Sequence, residues 1–163
     1  MAEQPFSSRK NPRLLSYDYS QCGGYFVTIC TQDRRQILSK ICRDDPCGRP
    51  KAVPSSLGQI AIEELQNIAQ KFNIQVDCYV IMPDHIHMIL FFRHSVQNRP
   101  LGQVIGAYKS LISSRWLKIC KSKGISMGKL WQERYYDHII RNDTDLDHVR
   151  AYIDTNPDRW LLR

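Results

Sequence analysis

The sequence has no long apolar run, no paired-cysteine motif and no leader-like start, and each absence removes a class of protein. Of its 163 residues 42% are hydrophobic, yet no stretch approaches the ~20 consecutive apolar residues that span a bilayer. The first residues, MAEQPFSSRKNPR, lack the apolar centre of a signal peptide. The six cysteines contain no C-x-x-C pair, which argues against a zinc knuckle. We therefore expect a cytoplasmic globular protein with reduced thiols.

Acidic residues are also in short supply. The sequence has 16 Asp and Glu against 23 Lys and Arg, which gives a formal net charge of +7. Such an excess favours a polyanionic partner, and we prefer nucleic acid to a merely solubilising role for the charge. The length suits a single domain over 1–163, in which residues 1–20 are expected to form a basic, poorly ordered arm.

Strand-like and helix-like segments alternate along the chain. The pattern predicts a strand at 24–31, a loop at 42–56, a helix from Ser56, two strands separated by Pro83 and Asp84, a helix at 101–120, an extended segment at 130–142 and a final helix. Ser56 and Gln59 fit a capping box. Thr144 is the expected cap of the last helix, which Pro157 ends. This order predicts an α+β fold, a ferredoxin-like antiparallel sheet with helices packed on one face.

The stretch VIMPDHIHMIL, residues 80 to 90, carries two histidines in an apolar strand. Alternate side chains of a strand share a face, so His85 and His87 point the same way, opposite to Ile86. Buried imidazoles need hydrogen-bond partners or a metal. Both alternatives stay open from the residues alone, and a metal would need a third ligand from elsewhere in the chain.

The last predicted helix offers a tyrosine and an asparagine. With Leu146, Val149 and Ile153 as its buried stripe, Tyr152 projects to one flank at about 100° per residue. Its hydroxyl is then free to face the histidine pair, and Asn156, one turn further on, offers a side-chain oxygen to the same metal. The alternative is a half-buried helix tyrosine with no chemical role.

Three strings in this order carry a family resemblance. MPDHIHMIL resembles the HUH motif (His, bulky apolar residue, His), and LWQERYYDHIIRN and AYIDTNPDRW resemble the C-terminal region of the same proteins. Over about residues 20–160 the chain is similar to the single-tyrosine HUH transposases, closest to the REP-associated tyrosine transposases and their IS200-like relatives.

The resemblance implies a function. His85 and His87, on a central strand, would be metal ligands together with Asn156, and Tyr152 would be the nucleophile. It implies a DNA transposase that cleaves and rejoins hairpin-flanked single-stranded DNA through a 5′-phosphotyrosine, with Mg²⁺ or Mn²⁺ as cofactor. Bacterial, nucleoid-associated action as a monomer or homodimer is expected. A domesticated descendant that binds DNA hairpins without cutting is the alternative.

Further residues are candidates for DNA contacts or rival sites. The candidates for stacking bases or holding phosphates are Arg9, Lys10, Arg13, Lys109, Arg115, Trp131, Arg134, Tyr135, Tyr136 and Arg141. Core packing is the alternative for Trp131 and one of the two adjacent tyrosines, and a solvated tail is the alternative for the N-terminal cations. Tyr108 is a rival nucleophile that falls on the apolar stripe of its helix. A histidine-triad hydrolase is disfavoured because the third alternating position is Ile89.

Overall fold

Four antiparallel strands and three longer helices organise the part of the chain that the structure describes. The computed structural model describes residues 23–43, 48–93 and 101–162. Its elements are β1 (Gly23–Cys30), a 3₁₀ turn (Gln32–Arg34), β2 (Ser39–Cys42), β3 (Lys51–Pro54), α1 (Ser56–Phe72), β4 (Ile74–Ile81), β5 (His85–Phe92), α2 (Leu101–Ser122), β6 (Tyr136–Ile140), α3 (Asp143–Asp154) and α4 (Asn156–Trp160).

The main sheet has the strand order β4-β5-β1-β6, with each neighbouring pair antiparallel. Together with α1 and α2, this order gives the ferredoxin-like α+β fold that the sequence predicts. β4 and β5 form the expected hairpin, and the N–H of Met82 donates to the carbonyl of His85 across its turn. β5 is a central strand, so the histidines lie at the middle of the sheet, as predicted.

The two faces of the sheet carry different residues. On the face that we call the apolar face, Tyr25, Val27 and Ile29 of β1 pack with alternate residues of β5 against α1 and α2. The opposite side, the histidine face, carries Phe26 and Thr28 of β1, both histidines of β5, and α3. The prediction of helices on one face therefore holds for α1 and α2, whereas α3 lies on the other.

Both predicted helix caps are displaced. α1 is capped by Ser55, whose Oγ accepts from the N–H of Gly58, rather than by Ser56. α3 is capped by Asn142, whose side chain accepts from the N–H of Asp145, rather than by Thr144. Ser, Thr and Asn can all cap a helix. Ser55 and Asn142 occupy the cap positions because their backbone is still extended, whereas Ser56 and Thr144 already lie within the helices. Pro157 lies beyond the end of α3 and in the first turn of α4.

The predicted loop at 42–56 contains a strand. β3 pairs antiparallel with β2 to form a second, two-stranded sheet, which a Pro- and Gly-rich segment would not suggest. Residues 44–47 of this segment and the predicted arm at 1–20 lie outside the described residues. The cysteines within the described ranges, at positions 30, 42, 78 and 120, are free thiols. No helix in those ranges combines the length and apolarity needed to cross a membrane.

Candidate functional site

The histidine pair is buried at the centre of the sheet. His85 is 2% exposed and His87 is 1% exposed, and their ring centroids lie 4.5 Å apart at an interplanar angle of 71°. In the register of β1 and β5, Cys30 is opposite His85 and Thr28 is opposite His87. Both rings therefore project from the histidine face, as the alternation of the strand predicts.

Each imidazole is in contact through Nδ1 with a neighbouring oxygen. Nδ1 of His87 lies 2.7 Å from the hydroxyl oxygen of Thr28, and Nδ1 of His85 lies against a carboxylate oxygen of Asp84. The second oxygen of Asp84 is 3.3 Å from Nε of Arg34. A hydrogen bond at Nδ1 orients the ring and leaves Nε2, on the other side of the ring, as the nitrogen that can bind a metal, which is the arrangement that metal-binding histidines use.

Tyr152 lies against His87 in the same chain. Its ring centroid is 5.3 Å from that of His87, at an interplanar angle of 63°. The tyrosine is only 8% exposed and its ring also meets Phe26 edge-on at 5.9 Å. Tyr152 thus belongs to the buried side of α3 with Val149 and Ile153, closer to the stripe than the flank position predicted. The buried position still brings the tyrosine to the histidine pair.

Asn156 follows one turn later, at the start of α4. Asn156 is 3% exposed. Thr155, with φ −87° and ψ 2°, separates α3 from α4. Trp160, four residues further on, has its ring centroid 6.1 Å from that of His85. Asn156 therefore lies midway in sequence between two rings that each contact one histidine, Tyr152 and Trp160. Asn156 is thus buried in the segment that carries both rings, and its predicted role as a metal ligand stays a prediction.

The donors at this site suit a divalent cation. Two imidazole nitrogens and an amide oxygen form a mixed set that suits Mn²⁺ and, with further oxygens from a phosphate, Mg²⁺. In residues 23–43, 48–93 and 101–162, no group of three or more His, Cys, Asp or Glu side chains is arranged to hold a metal ion. The predicted ligand set contains only two such side chains, His85 and His87, because its third member is the amide of Asn156. That these three residues bind a metal stays a prediction.

Two arginines border the site, and the sequence patterns did not single them out. The guanidinium of Arg159 lies over the Tyr152 ring, 5.1 Å from its centroid, and the side chain of Arg34 contacts Asp84 from the 3₁₀ turn. Thr28 and Asp84 were missed as well. Asp84 directly precedes His85, which is a usable signal, whereas Thr28 is recognised only from the strand register.

Tyr108 is excluded as the nucleophile by its location. It is fully buried on the apolar face, and its hydroxyl donates to the carbonyl oxygen of Ala61 at 2.8 Å. Burial raises the pKa of this phenol far above its usual value. The sheet separates Tyr108 from the histidines, which favours a core role for Tyr108. The role of Tyr152 as the nucleophile stays a prediction.

Three predicted DNA contacts are occupied within the protein. Lys109 donates to the carbonyls of Gln132, at 2.9 Å, and of the two residues that follow, and burial lowers the pKa of its ammonium group. Arg115 forms ion pairs with Glu63 and Glu64 of α1, on the apolar side of the sheet. Trp131 is 6% exposed and belongs to the apolar core. Its location favours core packing over the stacking of a base.

The other predicted DNA contacts in the described residues differ in their exposure. Arg134 and Arg141 are exposed at either end of β6, and Tyr136 is half-buried on the histidine face, 6.4 Å from Phe26 between ring centroids. Tyr135 packs against the apolar core, with the Lys109 ammonium 5.9 Å from its ring centroid. These residues stay predictions. Arg9, Lys10 and Arg13 lie outside the described residues.

The comparisons with known proteins agree with this fold. The chain belongs to the IS200-like transposase family, whose model, described as "Transposase IS200 like", matches residues 20–156. It is 27% identical to an uncharacterized protein of Haemophilus influenzae, over 93% of this chain and 89% of that one. It is 28% identical to a REP-associated tyrosine transposase of Escherichia coli, over 51% of this chain and 44% of that one.

The fold is also found among solved structures. A REP-associated tyrosine transposase bound to a REP hairpin aligns with a TM-score of 0.63 at 19% identity, over 90% of this chain and 73% of that chain. Family membership thus rests on the sequence match to residues 20–156, and the architecture rests on the structural likeness.

Proposed function

We propose that this protein cleaves and rejoins single-stranded DNA beside a hairpin, with Tyr152 as the nucleophile. The single observation that carries the proposal is the 5.3 Å separation of the Tyr152 and His87 ring centroids within one chain. A phenol beside two metal-binding candidates is the arrangement that a tyrosine strand transferase needs. Because these three side chains come together within one chain, we propose that the site forms within a single protomer.

The proposed reaction conserves a phosphoester bond. The phenol oxygen of Tyr152 bonds to the scissile phosphorus as the bond from phosphorus to the 3′ oxygen breaks. The phenol loses its proton and the leaving 3′ oxygen gains one, which yields a 5′-phosphotyrosine and a free 3′-hydroxyl. Attack by a 3′-hydroxyl on this link reverses the step and rejoins a strand, so no nucleotide triphosphate is consumed.

His85, His87 and Asn156 would hold the divalent cation, Mg²⁺ or Mn²⁺. When bound, the cation withdraws charge from the non-bridging oxygens of the scissile phosphate. The chain's own residues have other tasks. Arg159 lies across the Tyr152 ring, where its guanidinium is within reach of a phosphate that approaches the phenol oxygen. The histidine pair is buried, so electrostatic interactions at this site are less screened by water than at the surface.

The partner that fits is a hairpin-forming DNA strand. The formal net charge of +7 supports a nucleic-acid ligand, and exposed Arg134 and Arg141 at the ends of β6 are available for phosphates. The relative of known structure is bound to a REP hairpin, which supports a hairpin substrate for this chain as well.

The test is covalent capture of DNA. The protein is incubated with Mn²⁺ and single-stranded DNA that contains a hairpin, and a denaturant-resistant protein–DNA adduct is sought by gel electrophoresis. We expect Tyr152→Phe to abolish the adduct. The substitution keeps the ring that packs against Phe26 and removes only the nucleophilic hydroxyl.

Tyr108→Phe is the matched control. It removes one buried hydroxyl on the opposite side of the sheet, with an expected stability cost of about 1 kcal/mol and no loss of adduct. Retention of DNA binding with no adduct on any hairpin substrate would instead favour a domesticated DNA-hairpin-binding protein. An adduct that survives in Tyr152→Phe would assign the nucleophile elsewhere.

A further inference from the structure

We infer that Thr28 and Asp84 are positioning residues that set the tautomer of the histidine pair. Each accepts the Nδ1 hydrogen of one imidazole, so that Nε2 of both rings is the nitrogen directed at the cation. The identity of that ligand rests on the proposed function, whereas the tautomer is a property of the protein without metal or DNA.

Asp84 determines the tautomer of His85. A carboxylate can only accept hydrogen bonds, so contact between its Oδ1 and Nδ1 of His85 requires that Nδ1 carry the hydrogen. The neutral ring then has its lone pair on Nε2. The pair is buried, which makes the exchange of this hydrogen bond for one to water costly.

Asp84 is itself held at three points. Arg34 lies 3.3 Å from its second carboxylate oxygen, and the backbone carbonyl of Asp84 accepts from the N–H of Thr31 at 3.0 Å and from its hydroxyl at 3.1 Å. The turn that presents Arg34 has positive φ at Asp33, 56°, and at Arg34, 54°. Non-glycine residues avoid this region, so the turn is maintained against local strain and keeps the arginine beside the carboxylate.

Thr28 performs the corresponding task for His87. It is directly opposite His87 in the register of β1 and β5, it is buried, and its Oγ1 lies 2.7 Å from Nδ1. A hydroxyl can donate or accept, so geometry alone permits both tautomers of His87. The Nδ1–H form is the one that leaves both rings with the same ligating nitrogen, at a centroid separation of 4.5 Å.

The first experiment measures tautomers in the metal-free protein. Long-range ¹H–¹⁵N spectra of histidine-labelled protein, recorded with the rings neutral, distinguish Nδ1–H from Nε2–H. We expect Nδ1–H for both His85 and His87 in the wild type. Asp84→Ala should release His85 alone and Thr28→Val should release His87 alone, while Thr28→Ser should restore the wild-type spectrum.

The control is Asp154→Ala, which removes an exposed carboxylate close to Tyr152 in sequence and should leave both tautomers unchanged. Wild-type spectra that show Nε2–H for either histidine would overturn the inference. This test needs no variant, so it remains valid even if Asp84→Ala folds poorly. A tautomer that persists in Thr28→Val would overturn the role of Thr28.

The second experiment measures Mn²⁺ affinity by electron paramagnetic resonance. Loss of an oriented Nδ1 partner typically weakens metal binding about 10–100-fold, and we expect this range for Asp84→Ala and Thr28→Val but not for Asp154→Ala. Unchanged affinity in both variants would overturn a positioning role. If the wild type bound no Mn²⁺ at all, the metal part of the proposed function would fail, and the spectra would still decide the tautomers.

Discussion

The two faces of the sheet are built from the same strands and have different tasks. On the apolar face, Val27 of β1 and Met88 of β5 are paired neighbours that are fully buried beneath α1 and α2. One residue along each strand, Thr28 and His87 are also paired and buried, yet they are joined by a polar contact. Alternation along a strand thus puts a hydrocarbon core and a candidate reaction centre one sheet thickness apart.

The coverings of the two faces differ as well. α1 and α2 have 17 and 22 residues, whereas α3 and α4 have 12 and 5. α3 is attached to the sheet by polar contacts, Arg150 to Asp77 of β4 and Asp145 to His138 of β6. The apolar face therefore supplies most of the hydrophobic stabilisation, and the histidine face accepts buried polar groups that a pure core would avoid.

The largest expected contrast comes from adjacent residues of β5. His87→Ala should reduce Mn²⁺-dependent adduct formation below detection, because it removes one of the two paired imidazoles beside Tyr152. Met88→Ala should lower the free energy of unfolding by about 2–5 kcal/mol, because Met88 is fully buried on the apolar face, and should retain adduct formation wherever it is folded. Urea denaturation and the capture assay together measure both effects.

The opposite pattern would remove the distinction between the faces. If Met88→Ala abolished the adduct in folded protein while His87→Ala retained it, the chemistry would not depend on the histidine face. Circular dichroism at the assay temperature confirms that each variant is folded before its activity is compared.

A smaller effect separates two glycines in the helices that cover the apolar face. A Cβ at Gly58 of α1 would lie 2.1 Å from the carbonyl oxygen of Leu38, an oxygen fixed by hydrogen bonds from Ser55. Gly58→Ala should therefore cost about 1–3 kcal/mol through overpacking. Gly106→Ala in α2 meets nothing within 4 Å and should stabilise the helix by up to ~1 kcal/mol.

Equilibrium urea denaturation measures both glycine variants. If both substitutions changed the free energy of unfolding by the same amount and in the same direction, α1 would not pack tightly against Leu38. Because Gly106 is exposed on α2, on the opposite side of the sheet from the histidines, we expect Mn²⁺ affinity to be unchanged in Gly106→Ala.

A third contrast concerns two arginines that the sequence treats alike. Arg115→Ala removes ion pairs to Glu63 and to buried Glu64, so it should lower stability by about 1 kcal/mol without weakening DNA binding. Arg141→Ala removes an exposed cation at the end of β6. This substitution should weaken DNA binding and reduce the slope of log K against log salt concentration by about one. Fluorescence anisotropy at several salt concentrations distinguishes them, and equal salt slopes would contradict the assignment.

The sequence predicts the strands, the hairpin and the histidine pair because these follow from local periodicity and turn chemistry. The family's C-terminal strings also direct attention to Tyr152, whose ring lies beside His87 and is more deeply buried than predicted. The role of Tyr152 stays a prediction. The positions of α3 and of the second small sheet depend on tertiary packing. A periodic pattern shows which side of a helix is buried, but not which face of the sheet receives it.

The contacts around the histidines show where sequence reasoning ends. Asp84 adjoins His85 in the chain and could have been proposed as its partner. Thr28 is 59 residues from His87, and only the register of β1 and β5 joins them. Arg115 and Arg141 are equivalent in a charge count, and their separate surroundings appear only when α1 and β6 are in place.

The smallest expected effect tests the attachment of α3 to the sheet. The hydrogen bonds from Arg150, at 2.8 and 2.6 Å, are the main cause of a pKa of Asp77 below its usual value, with burial acting in the opposite direction. A lowered carboxylate pKa stabilises the folded state above the unfolded pKa, near pH ~4, and this contribution is lost as the pH falls through the folded pKa. Asp77→Asn should therefore lower Tm by a few degrees at neutral pH, and the difference from wild type should shrink well below pH ~4. Glu133→Gln, which neutralises an exposed carboxylate outside α3, is the control. A difference in Tm that is the same at both pH values would show that Asp77 does not anchor the tyrosine helix through its charge.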